Sequence, residues 1–358
     1  MDTKFTIAAA AAIICFLVSF FGFVALTGRF YVDKEDAGGN KLVFMPFYIP
    51  SALGIVLLYF FSPYFSDFIH EISFSNILVP LTCTGIIYVS SLSDRSAKYT
   101  LATILPACAV SAFFLPENAL IFEGELPFWL DRFVVIAVWF LFSSMYYILN
   151  GIDGVQPVQT GTICSGIVIL AVLDATPFLY GLFAAVVLAA TAAYAIFNWY
   201  PARLNINRPS SQALGFMLGW MLFANAAEGA SSSSLILIMF FIIEVAGAVI
   251  KKITLRDKFA DLTADTVYYQ ANVSGLSPHY ICTFLIKLQI IFIILSAFQI
   301  YAPNAYSLPL LALVIGIWFL SKLKNWQTPN KTIRELNRDF MEDIRQNIED
   351  LKNNIGKD

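Results

Sequence analysis

Eleven stretches of mostly apolar residues, each near the length of a membrane-crossing helix, divide this 358-residue chain. They fall at 4–27, 44–62, 75–92, 100–116, 133–150, 161–174, 179–197, 211–228, 234–250, 280–301 and 307–322. A helix rises about 1.5 Å per residue and the hydrocarbon core is about 30 Å thick, so about 20 apolar residues make one crossing. The pattern predicts an all-α, polytopic transmembrane helical bundle of about eleven spans. Composition agrees, with 58% of residues hydrophobic and only 13% charged, against roughly a quarter charged in soluble domains. Lipid must therefore solvate most of the chain. The first stretch is too long for a signal peptide and no small-residue cleavage motif follows it, so it reads as an uncleaved helix.

Basic residues set the expected orientation. Nineteen of the 22 Lys and Arg residues fall in alternate loops and the C-terminal tail. They include Arg29, Lys34, Arg95, Lys98, Arg203, Arg208, Lys251, Lys252 and Arg256. The opposite loops hold Lys4 and Arg132 together with Asp67, Glu71, Glu117, Glu123, Glu125 and Glu228. The positive-inside rule then predicts an N-terminus outside and the basic side in the cytoplasm. Two charges, Glu244 and Lys287, fall roughly 10 Å deep in neighbouring spans. Either they pair, which removes much of the cost of burial, or Lys287 reaches out to the interface.

Residues 1–322 thus form a membrane domain and 323–358 a tail of another kind. Thr328-Pro329 reads as a helix start. Ile333, Leu336, Phe340, Ile344, Ile348, Leu351 and Ile355 then recur at spacings of three and four, which predicts a cytoplasmic amphipathic helix. Its apolar face calls for a cover: its twin in a dimer, the cytoplasmic loops, or a protein partner. Cys15, Cys83, Cys108, Cys164 and Cys282 lie far apart inside apolar stretches and read as buried packing residues. With only His70 and His279 present, a histidine-based metal site is not expected. The net charge of −3 carries no signature of a nucleic-acid partner.

Three polar segments sit at the predicted cytoplasmic mouth. Residues 144–154 read Ser-Met-Tyr-Tyr-Ile-Leu-Asn-Gly-Ile-Asp-Gly. Residues 196–216 contain Asn-Trp-Tyr-Pro-Ala-Arg-Leu-Asn-Ile-Asn-Arg-Pro, and 92–95 read Leu-Ser-Asp-Arg. In order, spacing and placement they resemble the polyprenyl-phosphate N-acetylhexosamine-1-phosphate transferases, over about residues 5–322. Ser-Gly-Leu-Ser-Pro-His at 274–279 adds to the likeness. The branch most similar is the bacterial one that starts O-antigen, common-antigen or teichoic-acid linkage synthesis.

The resemblance implies a multi-pass protein of the bacterial inner membrane, a homodimer, and transfer of a sugar-1-phosphate from a UDP-sugar to undecaprenyl phosphate with release of UMP. It implies a Mg²⁺ ion held by carboxylates and bridging the diphosphate. On the matching positions it implies Asp94 and Asp153 as catalytic acids, with Asp153 also a metal ligand. Arg95, Lys98, Asn150, Asn198, Arg203 and Arg208 would bind substrate or phosphate.

The chain departs from that pattern where the chemistry is concentrated. The acidic pair after the third span is reduced to Ser93-Asp94, and Ser144 and Tyr147 stand where the family has asparagines. The first Asp of the Asp-Gly motif is Asn150, and the histidine-rich segment is Tyr268-Tyr269-Gln270-Ala271. Most telling, a metal-binding Asp of the family is Arg208. An arginine about 4 Å from a divalent cation is repulsive by several kcal/mol at an effective dielectric near 20. Three readings remain. The first is a transferase with a rebuilt site, in which Arg208 clamps the diphosphate or Asp257, Asp261 and Asp265 hold a relocated metal. The second is a protein that has lost the reaction and binds undecaprenyl phosphate, a lipid-linked sugar or an active partner as a regulator or scaffold. The third is a transporter, which no intramembrane chain of acids supports.

Overall fold

The computed structural model describes residues 3–29, 41–61, 72–92, 97–115, 126–256, 262–302 and 306–325. A helix occupies each of the eleven predicted stretches, and no strand occurs among the described residues. The helices are α1 (Thr3–Arg29), α2 (Met45–Phe61), α3 (Phe74–Leu92), α4 (Ala97–Phe113), α5 (Phe128–Met145), α6 (Val155–Val172) and α7 (Phe178–Asn198). They continue with α8 (Arg208–Asn225), α9 (Ser231–Leu237), α10 (Met239–Leu255), α11 (Val267–Val273), α12 (Pro278–Phe298) and α13 (Ser307–Asn325). Seven helices are long and apolar enough to cross a membrane, or eight if the bent α8–α10 run is counted as one span. Residues 74–90 and 99–113 are apolar but shorter. The chain is a multi-pass, all-helical membrane protein.

Helix α8 lies at the centre. It buries 15 of its 18 residues and packs against α3, α5 and the 3-10 segment Tyr146–Gly151. Trp139 of α5 fixes one of these contacts, its Nε1 donating to Phe216 O at 3.0 Å while its ring stacks on Phe216. At the periphery, α1 presents Ile13, Ile14, Leu17, Phe21 and Val24 outward, an apolar face that needs lipid rather than water. Prolines 50, 80 and 106 sit inside α2, α3 and α4. Such interruptions are tolerated in membrane helices, and Tyr48 of α2 ties itself to α3 by donating to Leu81 O at 2.6 Å.

Two expectations change. The stretches at 211–228 and 234–250 are not two plain spans. α8 is joined to α9 through a π-turn at Ala226–Ala230, where Gly229 takes φ +93°, and α9 then bends by 58° into α10. Gly229 and the serines at 231–233 fill the gap between the two predicted stretches, and the structure keeps this gap helical. Also, α6 begins at Val155 rather than 161, so the Asp-Gly motif leads straight into a helix. The five cysteines are buried and free, as expected.

Glu244 and Lys287 do not pair. Glu244 is buried and its Oε2 accepts from the Val267 amide at 2.8 Å, at the start of α11. Lys287 is exposed on α12. The buried carboxylate found a backbone donor, which costs less than drawing a lysine inward. The tail beyond 325, with its predicted amphipathic helix, lies outside the described residues.

Candidate functional site

The two motif segments run antiparallel and zip together at one end of the bundle. Gln212 Nε2 donates to Ser144 O at 2.9 Å. The guanidinium of Arg208 lies 3.6 Å over the ring of Tyr147. Asn150 Nδ2 donates to Ile206 O. Asp153 Oδ1 and Oδ2 accept from Asn205 Nδ2 at 3.5 Å and from the Ala202 amide at 3.0 Å. Asn198 Oδ1 accepts from the Gly154 amide at 3.1 Å. As one segment advances from 144 to 154, its partner retreats from 212 to 198, so the two meet in register over the whole motif.

Local chemistry explains the turn between them. Gly154 takes φ +89°, a conformation strained for any side chain, and it turns the chain from the 3-10 segment into α6. Asn198, at the end of α7, uses both amide protons, one on Leu204 O at 3.0 Å and one on Asn205 Oδ1. It thereby closes the 199–205 loop. Asn207 caps α8, its Oδ1 accepting from the Ser210 amide at 3.0 Å, with Pro209 in the first turn. Arg208 is therefore the first helical residue of α8.

The segment 262–282 closes the third side. The Tyr268 hydroxyl donates to Ile148 O, and Cys282 Sγ donates to Asp153 O at 3.2 Å. Trp199 Nε1 donates to His279 Nδ1 at 3.3 Å. Gly151 permits this approach, since a Cβ there would lie 2.3 Å from the Thr263 methyl. Asp265 bridges Lys251 and Lys252 at 2.9 and 3.1 Å. Burial opposes its ionisation, but the hydrogen bonds and charges of the two lysines outweigh burial and hold its carboxyl below the usual aspartate range.

The structure thus brings together Asp153, Asn150, Asn198 and Arg208. Arg203 stands on the same loop but is exposed, its amide bonded to Phe197 O at 2.8 Å. Asp94 and Arg95 lie outside the described residues, as do Asp257 and Asp261. Lys98 is in the first turn of α4, and its side chain is not described. Asn205, Gln212, Gln156 and Cys282 belong to the neighbourhood and were not singled out from sequence. Only Asn205 carried a signal, as the second amide side chain in the Pro-Ala-Arg loop.

The described residues of this site do not fit a magnesium ion. Among the described residues, no three His, Cys, Asp or Glu side chains converge. Both Asp153 oxygens face protein N–H donors, Asp265 is held by two lysines, and a guanidinium occupies the Arg208 position. A cavity lined by Ala175, Gly229, Ser233, Gln299 and neighbours lies at the opposite end of the bundle and has no titratable lining residue.

No curated protein matches the chain significantly. Residues 50–225 match the profile of glycosyl transferase family 4, a span that contains both zipped motifs. The match, over just under half of the chain, supports the glycosyltransferase family 4-like superfamily for this region, a family that suggests a membrane sugar-phosphate transferase.

Proposed function

We propose that this protein binds a polyprenyl phosphate or lipid-linked sugar phosphate at the basic end of its bundle. It does not carry out Mg²⁺-dependent sugar-1-phosphate transfer, and serves as a binding regulator or scaffold in cell-envelope glycan synthesis. One observation carries this reading: Arg208 stacks on Tyr147, where the resembled enzymes place a metal-binding acid and an asparagine. Two substitutions that contact each other have replaced a pair suited to a cation with a pair suited to an anion. The retained Asp153 supports the same reading, because its oxygens hold the 202–205 loop.

The setting that goes with this function is the bacterial inner membrane, with about eleven spans, the N-terminus outside, the zipped motifs in the cytoplasm, and a homodimer. The basic loops support the sidedness. Cysteines introduced at 35 and 265 should label from the same, cytoplasmic, side; labelling from opposite sides contradicts this topology. For the function itself, native mass spectrometry of the protein with equimolar undecaprenyl phosphate and undecaprenol should show retention of the phosphate alone. Equal retention of the two lipids contradicts phosphate recognition.

A further inference from the structure

Among the described residues, no carboxylate forms an ion pair with Arg208. Its guanidinium rests on the Tyr147 ring, and its buried Nε has no hydrogen-bond acceptor. A guanidinium offers five donors in a planar fork, and leaving it unmatched beside protein is costly. Three acids among the described residues of this end are committed elsewhere: Asp153 to Ala202 and Asn205, Glu244 to the Val267 amide, Asp265 to Lys251 and Lys252.

Further unmatched polar groups lie on the first turns of α8 and α6. Ser210 and Ser211, in the first turn of α8, are fully buried and their hydroxyls have no partner. Gln156, in the first turn of α6, is 1% exposed, and neither atom of its side-chain amide has a partner. Its carbonyl accepts from Thr160 Oγ1, which meets the Tyr146 hydroxyl at 2.8 Å, next in sequence to Tyr147. α6 and α8 pack against each other and against the 3-10 turn that carries Tyr146 and Tyr147. Arg208 is the first residue of the 18-residue helix α8, and helix starts carry partial positive charge and favour anions.

We infer that Arg208, held flat by Tyr147 at the head of α8, anchors a metal-independent site for a terminal phosphate dianion. The fork engages two phosphate oxygens, and the aromatic stack fixes its plane. This deepens the proposed function and rests on it for the ligand's source: a lipid headgroup and a nucleoside monophosphate present the same chemistry.

The test is a binding titration of the full chain in nanodiscs with EDTA, using undecaprenyl phosphate in the bilayer, or UMP or inorganic phosphate in solution. Wild type is compared with Arg208→Gln, Arg208→Lys and Tyr147→Leu, each first checked for unchanged thermal unfolding. Binding should persist in EDTA, and Arg208→Gln should weaken it about tenfold or more, the loss expected of a charge-assisted pair. Arg208→Lys should fall between, because an ammonium keeps the charge without the fork. Tyr147→Leu should also weaken binding, and it keeps the question open to test should Arg208→Gln fail to fold. Binding of UMP or inorganic phosphate but not of the lipid would support the clamp and overturn the lipid reading. Wild-type affinity in Arg208→Gln, or binding that EDTA abolishes and Mg²⁺ restores, would overturn the clamp and leave lipid recognition standing. No binding of any phosphate by the wild type would overturn both.

Discussion

Asn198 at the end of α7 and Gly154 at the start of α6 are joined by one hydrogen bond, from the Gly154 amide to Asn198 Oδ1 at 3.1 Å. That bond ties the Asp-Gly turn to the Pro-Ala-Arg loop, because the same amide group donates to Leu204 O and to Asn205. Asn198 is 1% exposed, so water does not replace what its removal takes away. Asn198→Ala should lower stability by about 2 kcal/mol or more, since each buried polar group left unmatched costs about 1–3 kcal/mol. Asn198→Asp should fare no better, because a carboxylate there faces the Leu204 carbonyl with no proton to give. Thermal unfolding in detergent measures both; an Asn198→Asp protein as stable as wild type contradicts this role.

Asp153 should behave as a structural residue. Asp153→Ala frees the Ala202 amide and Asn205, and should cost about 1–3 kcal/mol of stability, with phosphate-lipid binding weakened only as far as the loop loosens. A variant of unchanged melting temperature that loses all ligand binding would place Asp153 in contact with ligand instead.

Glu244 and Lys287 should be energetically independent. Glu244→Leu removes the acceptor for the Val267 amide and should cost about 1–3 kcal/mol. Lys287→Met, at an exposed position, should stay within about 0.5 kcal/mol. A double-mutant cycle should give a coupling energy within about 0.5 kcal/mol of zero; a clear coupling contradicts the observed separation.

Much of this architecture was legible in the sequence, and the reason is physical. The length of an apolar stretch is a local property set by bilayer thickness, so all eleven stretches are helical. The Pro-Ala-Arg and Asp-Gly segments could be placed at one site because each is a short, self-identifying run. What the site does with its residues was less legible. Asp153 reads as a catalytic acid until the 202–205 loop, some 50 residues on, folds back to occupy its oxygens. Tyr147 and Arg208 read as two separate losses until their stacking makes them one altered feature. Glu244 reads as a lysine's partner until α11 supplies an amide. In each case a non-local contact made the decision, and such contacts leave no periodic trace. The break at Gly229 falls in the gap between the stretches 211–228 and 234–250, but hydropathy does not show that the chain stays helical through it.

The lysines near the end of α10 give a pH signature. The Asp265 carboxyl is held below the ordinary aspartate range by Lys251 and Lys252, against the opposing effect of burial. A lowered folded-state value means the contribution is fully present above the unfolded value of about 4 and is lost as pH falls through the folded value. Wild type should therefore lose more stability than Asp265→Asn on acidification below about pH 4. Parallel loss in the two proteins contradicts this assignment.

The central claim is that the Arg208–Tyr147 pair has displaced metal-dependent transfer from an otherwise recognisable site. The most direct measurement is UMP release by the purified protein with undecaprenyl phosphate, a panel of UDP-N-acetylhexosamines, and Mg²⁺ or Mn²⁺, beside an active family enzyme as control. The account predicts no turnover with any sugar while the control turns over. Metal-dependent UMP release that Asp153→Asn abolishes would contradict it, and would show that the site had been rebuilt rather than lost.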